Sequence, residues 1–198
     1  MSIDAIKSVP GVCDVLYLAS DTALSDAAPD LLIELPHGAT RTVDYERLRG
    51  RLLSELPDQL DAYFYVNTDV GSYECASEVA RRLVGSVRQG GDYHKVLILR
   101  SLIPRTFIDC NRVVEPADGV GKMTPALPEY VTAPEDRDLL EGLHAAYQAV
   151  ARAAYEQICG GGGTGLQIHT YAPKSVGIER VDGNIVEALR EAYEPEIY

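Results

Sequence analysis

Residues 95–102, KVLILRSL, constrain the fold more than any other stretch of the chain. A strand with one wet face alternates apolar and polar residues, but Val96 to Leu99 run apolar without a break. Such a strand is buried on both faces and belongs inside a parallel or mixed sheet covered by helices. DLLIEL (30–35) and CDVLYL (13–18) read as two more short buried strands. Helices fall between them. TVDYERLRGRLLSELP (42–57) has apolar residues near helical spacing and predicts a helix ended by Pro57. SYECASEVARRLVGSV (72–87) predicts an amphipathic helix capped by Ser72, with Ala76, Val79, Ala80, Leu83 and Val84 on one face. Residues 134–158 predict the longest helix, with acids at its start where the helix dipole favours them. GGGGTG (160–165) ends it and turns the chain into LQIHTYAP (166–173), a last strand, and residues 182–196 predict a last helix. AYFYVN (62–67) reads as a strand or an extended loop, RTFIDCN (105–111) as an extended segment, and the proline- and glycine-rich stretch 112–134 as a long loop. The expected class is α/β, a three-layer α/β/α arrangement with a mostly parallel or mixed central sheet, in a single domain over 1–198.

Composition narrows the function. The chain has 198 residues, 46% of them hydrophobic, enough for one sizeable core. A net charge of −12 argues against nucleic acid or an anionic membrane as partner, since both need clustered Lys and Arg. It leaves room for a small anionic substrate held by one or two local arginines. Cys13, Cys75, Cys110 and Cys159 are scattered without CxxC spacing, as in reduced thiols rather than a disulfide frame. No leader-like segment and no apolar run of membrane-spanning length is present, so a cytoplasmic protein is expected. GxxxxGK[ST] and GxSxG are both missing, which removes support for a P-loop and for a serine hydrolase.

Ligands of α/β sheets gather beyond the carboxyl ends of the strands. His37 ends LLIELPH and His169 ends LQIH, while Asp109, Asn111 and Arg112 end RTFIDCNR. Two histidines presented alike on separate strands, joined by a carboxylate, supply the donors of a catalytic zinc site with a fourth position left for water. NTDVGSYECA offers two carboxylates, Asp69 just before a helix and Glu74 in its first turn. Each residue also has a plainer reading. A strand-end histidine is often a packing or hydrogen-bonding residue, Asp69 and Glu74 fit as cap and first-turn acids, and Asp109, Asn111 and Arg112 fit as a turn with a salt bridge. His94 reads as a loop residue and His144 as a packed helix residue.

Several stretches taken in order, LPHGAT, TDVGSYECA, PRTFIDCNR, LHAAYQA and LQIHTYAP, resemble the N-formylglutamate amidohydrolase family over residues 30–180. More distantly the pattern is similar to zinc carboxypeptidases, acylases and cell-wall amidases. The resemblance implies a zinc-exopeptidase-like fold, one Zn2+ per chain and hydrolysis of the amide of a small anionic N-acyl amino acid such as N-formylglutamate. It assigns His37 and His169 as zinc ligands. Thr40 stands where carboxypeptidases carry their glutamate ligand, so the third ligand comes from the following helix: Glu74, with Asp69 as the alternative or as a catalytic or orienting acid. Asn111 and Arg112, helped by Arg105, match the pair that holds a substrate carboxylate. His144 matches a helix histidine that orients substrate or stabilises an oxyanion. Glu179 is the nearest acid after His169 for the role of general base. A zinc amidase acting on peptidoglycan-type or other acyl-peptides, and a ligand-binding relative without catalysis, are the other two readings of the same pattern.

Overall fold

The computed structural model describes residues 6–20, 28–58, 60–86, 93–114 and 125–170. The fold is α/β. Four strands, β1 (Cys13–Ala19), β2 (Leu31–Leu35), β3 (Lys95–Ser101) and β4 (Thr164–Gln167), form one mixed sheet in the order β1-β3-β2-β4. β1 runs antiparallel to β3, and β2 is parallel to both β3 and β4. The unbroken apolar runs take the two inner positions. Every residue of β2 is buried, and so is β3 beyond Lys95. β1 lies at the edge and is buried only at intervals, and all four residues of edge strand β4 are exposed.

Alternation along β2 and β3 sends neighbouring side chains to opposite faces. Leu31, Ile33, Leu35, Val96 and Ile98 pack with Ala76 and Ala80 of helix α3 (Ser72–Ser86). Leu32, Leu97 and Leu99 join the larger cluster, which draws Tyr45 and Leu48 from α1 (Thr42–Arg49), Leu60 and Phe64 from α2 (Leu60–Val66), and Leu140 and Tyr147 from α4 (Pro134–Ile158). In α4 the buried residues Asp136, Leu140, His144, Tyr147, Ala151, Ala154 and Ile158 recur at intervals of three and four, one stripe of a 3.6-residue helix. Helix α4 begins with Pro134, whose missing N–H costs nothing at that position. The expected amphipathic face of α3 is present too, with Val79, Leu83 and Val84 packed beside Ala76 and Ala80.

Five local expectations differ from the structure, the first being the last strand, expected over 166–173, which is β4 at Thr164–Gln167 and ends before His169. The first helix stops at Arg49 rather than reaching Pro57, and Gly50 caps it through its N–H to the Glu46 carbonyl. Beyond it Asp136 of α4 accepts the backbone N–H groups of Leu53 and Ser54, a pull that replaces helical bonds. AYFYVN is helical through Val66, and Asn67 donates to the Tyr63 carbonyl in helical register. Its alternation of buried Ala62 and Phe64 with exposed Tyr63 and Tyr65 imitates a strand because the helix is less than two turns long. RTFIDCN is not extended but turned, with Phe107 and Ile108 donating to the Pro104 carbonyl and Arg112 to that of Asp109. Ser72 does begin α3, but its buried hydroxyl makes no hydrogen bond, so the expected side-chain cap is not formed. The expected helix 182–196 lies outside the described residues.

Candidate metal centre

β2, β3 and β4 are parallel, so the segments that follow them leave the same edge of the sheet. Helices α3 and α4, which lead back to β3 and β4, contribute to the clusters on opposite faces of β2. Such divergence opens a crevice at the carboxyl ends of the strands. His37 lies two residues past β2, His169 two residues past β4, and Asp109 in the turn that follows β3.

The His37 turn is held from two sides. Gly38 donates its N–H to the Leu35 carbonyl, which folds the chain back at once after the strand. Buried Arg100, at the end of β3, donates Nε to the Gly38 carbonyl at 2.7 Å and lies over the Tyr73 ring. A Cβ on residue 38 would stand 2.6 Å from Arg100 Cγ, so only glycine admits this approach. Thr68 Oγ1 donates to the carbonyls of Ala39 and His37, which fixes the next residue, Asp69, beside the His37 ring. Gly71, at φ +81°, then turns the chain into α3. On the far side Thr170 Oγ1 donates to the Val70 carbonyl, and Ile168 N–H continues the β4 ladder to the Glu34 carbonyl. These ties deliver His169 to the same place.

There the ligand atoms of His37, Asp69 and His169 lie within 4.8 Å of one another. His37 Nε2 lies 2.8 Å from Asp109 Oδ1, and that carboxylate also accepts Asn111 N–H at 2.8 Å and the Nε groups of Arg105 and Arg112 at 3.0 and 2.9 Å. A carboxylate so supplied accepts from His37 as well, which places the imidazole proton on Nε2 and turns the lone pair of Nδ1 toward Asp69. His37 Nδ1 is buried and has no hydrogen-bond partner, with Asp69 Oδ2 at 3.5 Å. A buried acceptor without a partner costs free energy unless something completes it. Tetrahedral coordination with bonds of about 2.1 Å sets neighbouring ligand atoms about 3.4 Å apart, which matches that separation. His169 Nδ1 stands closer to Asp69 Oδ2, at 2.8 Å, a hydrogen bond in which Nδ1 carries the proton, so coordination through this nitrogen would need that proton to move to Nε2. Two imidazoles and one carboxylate therefore fit a divalent metal ion with one position left over.

Charge keeps Asp109 ionised and, without a metal ion, favours the protonated ring of His37, so an ion has to displace the Nδ1 proton. Burial lowers the pKa of His37, but the carboxylates of Asp109 and Asp69 outweigh it and the net direction is up. Burial raises Asp109, yet its hydrogen bond and charge pairing with His37, the Asn111 N–H and Arg105 hold it well below the usual carboxylate range. Asp109 therefore stays ionised behind His37.

The other expected site residues fall as follows. Glu74 is exposed in the first turn of α3, outside the convergent group, and the third donor is Asp69, the alternative. Arg105, Asn111 and Arg112 all gather on Asp109. Asn111 Oδ1 also accepts a hydrogen bond from Gln167 Nε2 at 3.2 Å. His144 is buried and its Nε2 donates to the Arg112 carbonyl at 2.8 Å, so it anchors the loop that carries Arg112 and does not join the cluster. Glu179 lies outside the described residues. Sequence reasoning passed over Asp109 as an orienting group and Arg100 as the support of the His37 turn. The signal for Asp109 was the presence of arginines three residues after it and four before.

Comparison of the chain with family models, curated proteins and solved structures yields no match. No helix among the described residues is long and apolar enough to cross a membrane.

Proposed function

We propose that the chain is a zinc-dependent amidohydrolase that cleaves a small N-acyl amino acid, with His37, Asp69 and His169 as the ligands. The observation that carries this reading is the buried, unpartnered His37 Nδ1 aimed at Asp69 while its Nε2 is held by Asp109. Two neutral imidazoles and a carboxylate form an open catalytic set rather than a closed structural one, and zinc is the ion that such a set suits. When bound, zinc lowers the pKa of a coordinated water and polarises an amide carbonyl.

The rest of the task belongs to the chain. Asp109 keeps His37 in the tautomer that coordinates. Arg105 and Arg112 each use Nε on Asp109, which fixes both guanidinium planes near the centre. In this reading they anchor the carboxylate of the substrate, because a guanidinium pairs with a carboxylate through parallel hydrogen bonds. Asn111 is fixed between Asp109 and Gln167 and borders the same place. The sequence resemblance adds N-formylglutamate as the type of substrate and a three-layer, zinc-exopeptidase-like fold as the frame.

The test is a panel of N-acyl amino acids offered to the zinc-loaded protein, to the chelated protein and to His169→Ala. The reading predicts release of the free amino acid by the loaded protein alone. Equal turnover in all three samples, or none in any, contradicts it.

A further inference from the structure

His37 and His169 reach the centre by separate routes. His37 follows β2 and has Asp109 behind it, while His169 follows β4. β2 is an inner strand, buried throughout, but β4 is a four-residue edge strand with every residue exposed. The side chains of β4 give it little hold on the interior. Gly165 has none, and a Cβ there would stand 2.9 Å from the Tyr155 ring. Leu166 is 40% exposed, and the Thr164 hydroxyl meets Tyr93 at the surface. Gln167 is different. Among the described residues it is the one side chain of β4 that bonds a buried group, the Glu34 carboxylate.

Gln167 Nε2 carries two hydrogens, and both are used. One goes to Glu34 Oε2 at 2.8 Å and the other to Asn111 Oδ1 at 3.2 Å. A carboxylate only accepts, so Glu34 fixes which end of the Gln167 amide faces inward. Asn111 then turns its oxygen, and not its NH2 group, toward Gln167. The Asn111 N–H in turn donates to Asp109 Oδ1 at 2.8 Å, the same oxygen that holds His37 Nε2. A continuous series of hydrogen bonds, passing through one residue of backbone, therefore runs from β4 to the His37 ring. Beyond His169, Thr170 ties the chain to the Val70 carbonyl, next to Asp69. The His37 and His169 rings stand 5.0 Å apart between these two ties.

We propose that Gln167 is a positioning residue of the metal centre: it locks the strand that presents His169 to the turn that presents Asp109, and so sets the two imidazoles against each other. The role in zinc binding rests on the reading of the centre given above, whereas the tie to Asp109 and His37 needs no ion. Gln167 and Asn111 are both exposed, so replacing them leaves the core intact.

A double-mutant cycle on the full chain tests it. Zinc affinity is measured by competition with a chelating dye for wild type, Gln167→Met, Asn111→Ala and the double variant. Tyr155→Phe is the control, because it takes a donor from the same Glu34 oxygen without touching Asn111. Each single variant is expected to weaken zinc binding about fivefold, the equivalent of one neutral hydrogen bond of about 1 kcal/mol. The double variant is expected to lose the same factor and not the product, since both changes remove one link. Cobalt(II) in place of zinc is expected to show the same shifted visible band in all three variants and the wild-type band in Tyr155→Phe. The metal-free chain gives a second readout. Solvent exchange of the His37 Nε2 proton, followed by NMR on histidine-labelled protein, is expected to be about fivefold faster in Gln167→Met and Asn111→Ala than in wild type or Tyr155→Phe. Wild-type zinc affinity in Gln167→Met overturns the proposal, as does a double variant weakened by the product of the two singles. Absence of zinc from the wild type sinks the metal-centre reading by itself. The proton exchange then decides, and equal exchange in Gln167→Met and wild type overturns the positioning role.

Discussion

Asp109 and Glu34 are both buried carboxylates near the carboxyl end of the sheet, and they are held in opposite ways. Asp109 is surrounded by bases: His37, Arg105 and Arg112, with one backbone N–H from Asn111. Glu34, on β2, is surrounded by neutral donors. Tyr147 Oη donates to Oε1 at 2.9 Å, and Tyr155 Oη and Gln167 Nε2 both donate to Oε2 at 2.8 Å. Burial first, and then the nearby Glu34 charge, push both phenols above the usual tyrosine range, which keeps them donors. The two nests meet through Gln167, which also reaches Asn111. The contrast separates two uses of a buried acid. Glu34 supplies acceptors that pin α4 and the exposed strand β4 to β2. Asp109 supplies charge that sets the proton of His37 and gathers two arginines.

Replacing each acid by its amide breaks that comparison if it is wrong. Asp109→Asn puts an NH2 group toward donors that have no use for it and removes the charge behind His37. Zinc affinity is expected to fall roughly 10- to 100-fold, the usual result of losing a carboxylate behind a metal-binding histidine, as read by competition with a chelating dye. Asp136 offers an intermediate case, since it accepts only from backbone N–H groups and the Ser54 side chain. Burial raises its pKa, but these hydrogen bonds prevail and hold it below the usual carboxylate range. A depressed carboxylate stabilises the fold above its unfolded pKa and ceases to do so as pH falls through the folded value. Asp136→Asn is therefore expected to cost about 2 kcal/mol at neutral pH in denaturant unfolding, with the deficit shrinking in acid. Glu34→Gln is expected to cost less, about 1 kcal/mol, because the Tyr147 hydroxyl can turn and accept from the new NH2 group. Its zinc affinity should match that of the wild type. Tyr155→Phe removes one of three donors from a half-buried position and is expected to cost about 0.5 kcal/mol by the same measurement.

Much of this was legible in the sequence, and the parts that were not share a cause. The inner strands β2 and β3 and helices α3 and α4 announce themselves because each buries a long, regular pattern. The short α2 does not, since less than two turns of AYFYVN cannot show a helical period against a strand-like one. The end of α1 was hidden because it depends on Asp136, more than eighty residues away. At the site, His37 and His169 stood out as strand-end residues, but Glu74 was preferred to Asp69 on the resemblance alone, since a start at Ser72 does not tell which acid meets the rings. In the structure Glu74 faces solvent while Asp69, before the Gly71 turn, faces the rings. Asp109 was visible as part of a turn with a salt bridge. The sequence could not tell that His37, 72 positions away, completes that bridge.

The most direct measurement is the metal content of the purified chain by elemental analysis, wild type beside His37→Ala, after incubation with zinc and removal of the excess. The account predicts about one zinc per wild-type chain, as a single open site holds, and none in the variant. Zinc missing from the wild type, or equal zinc in both, would contradict the claim that the unpartnered nitrogen of His37 is a ligand atom.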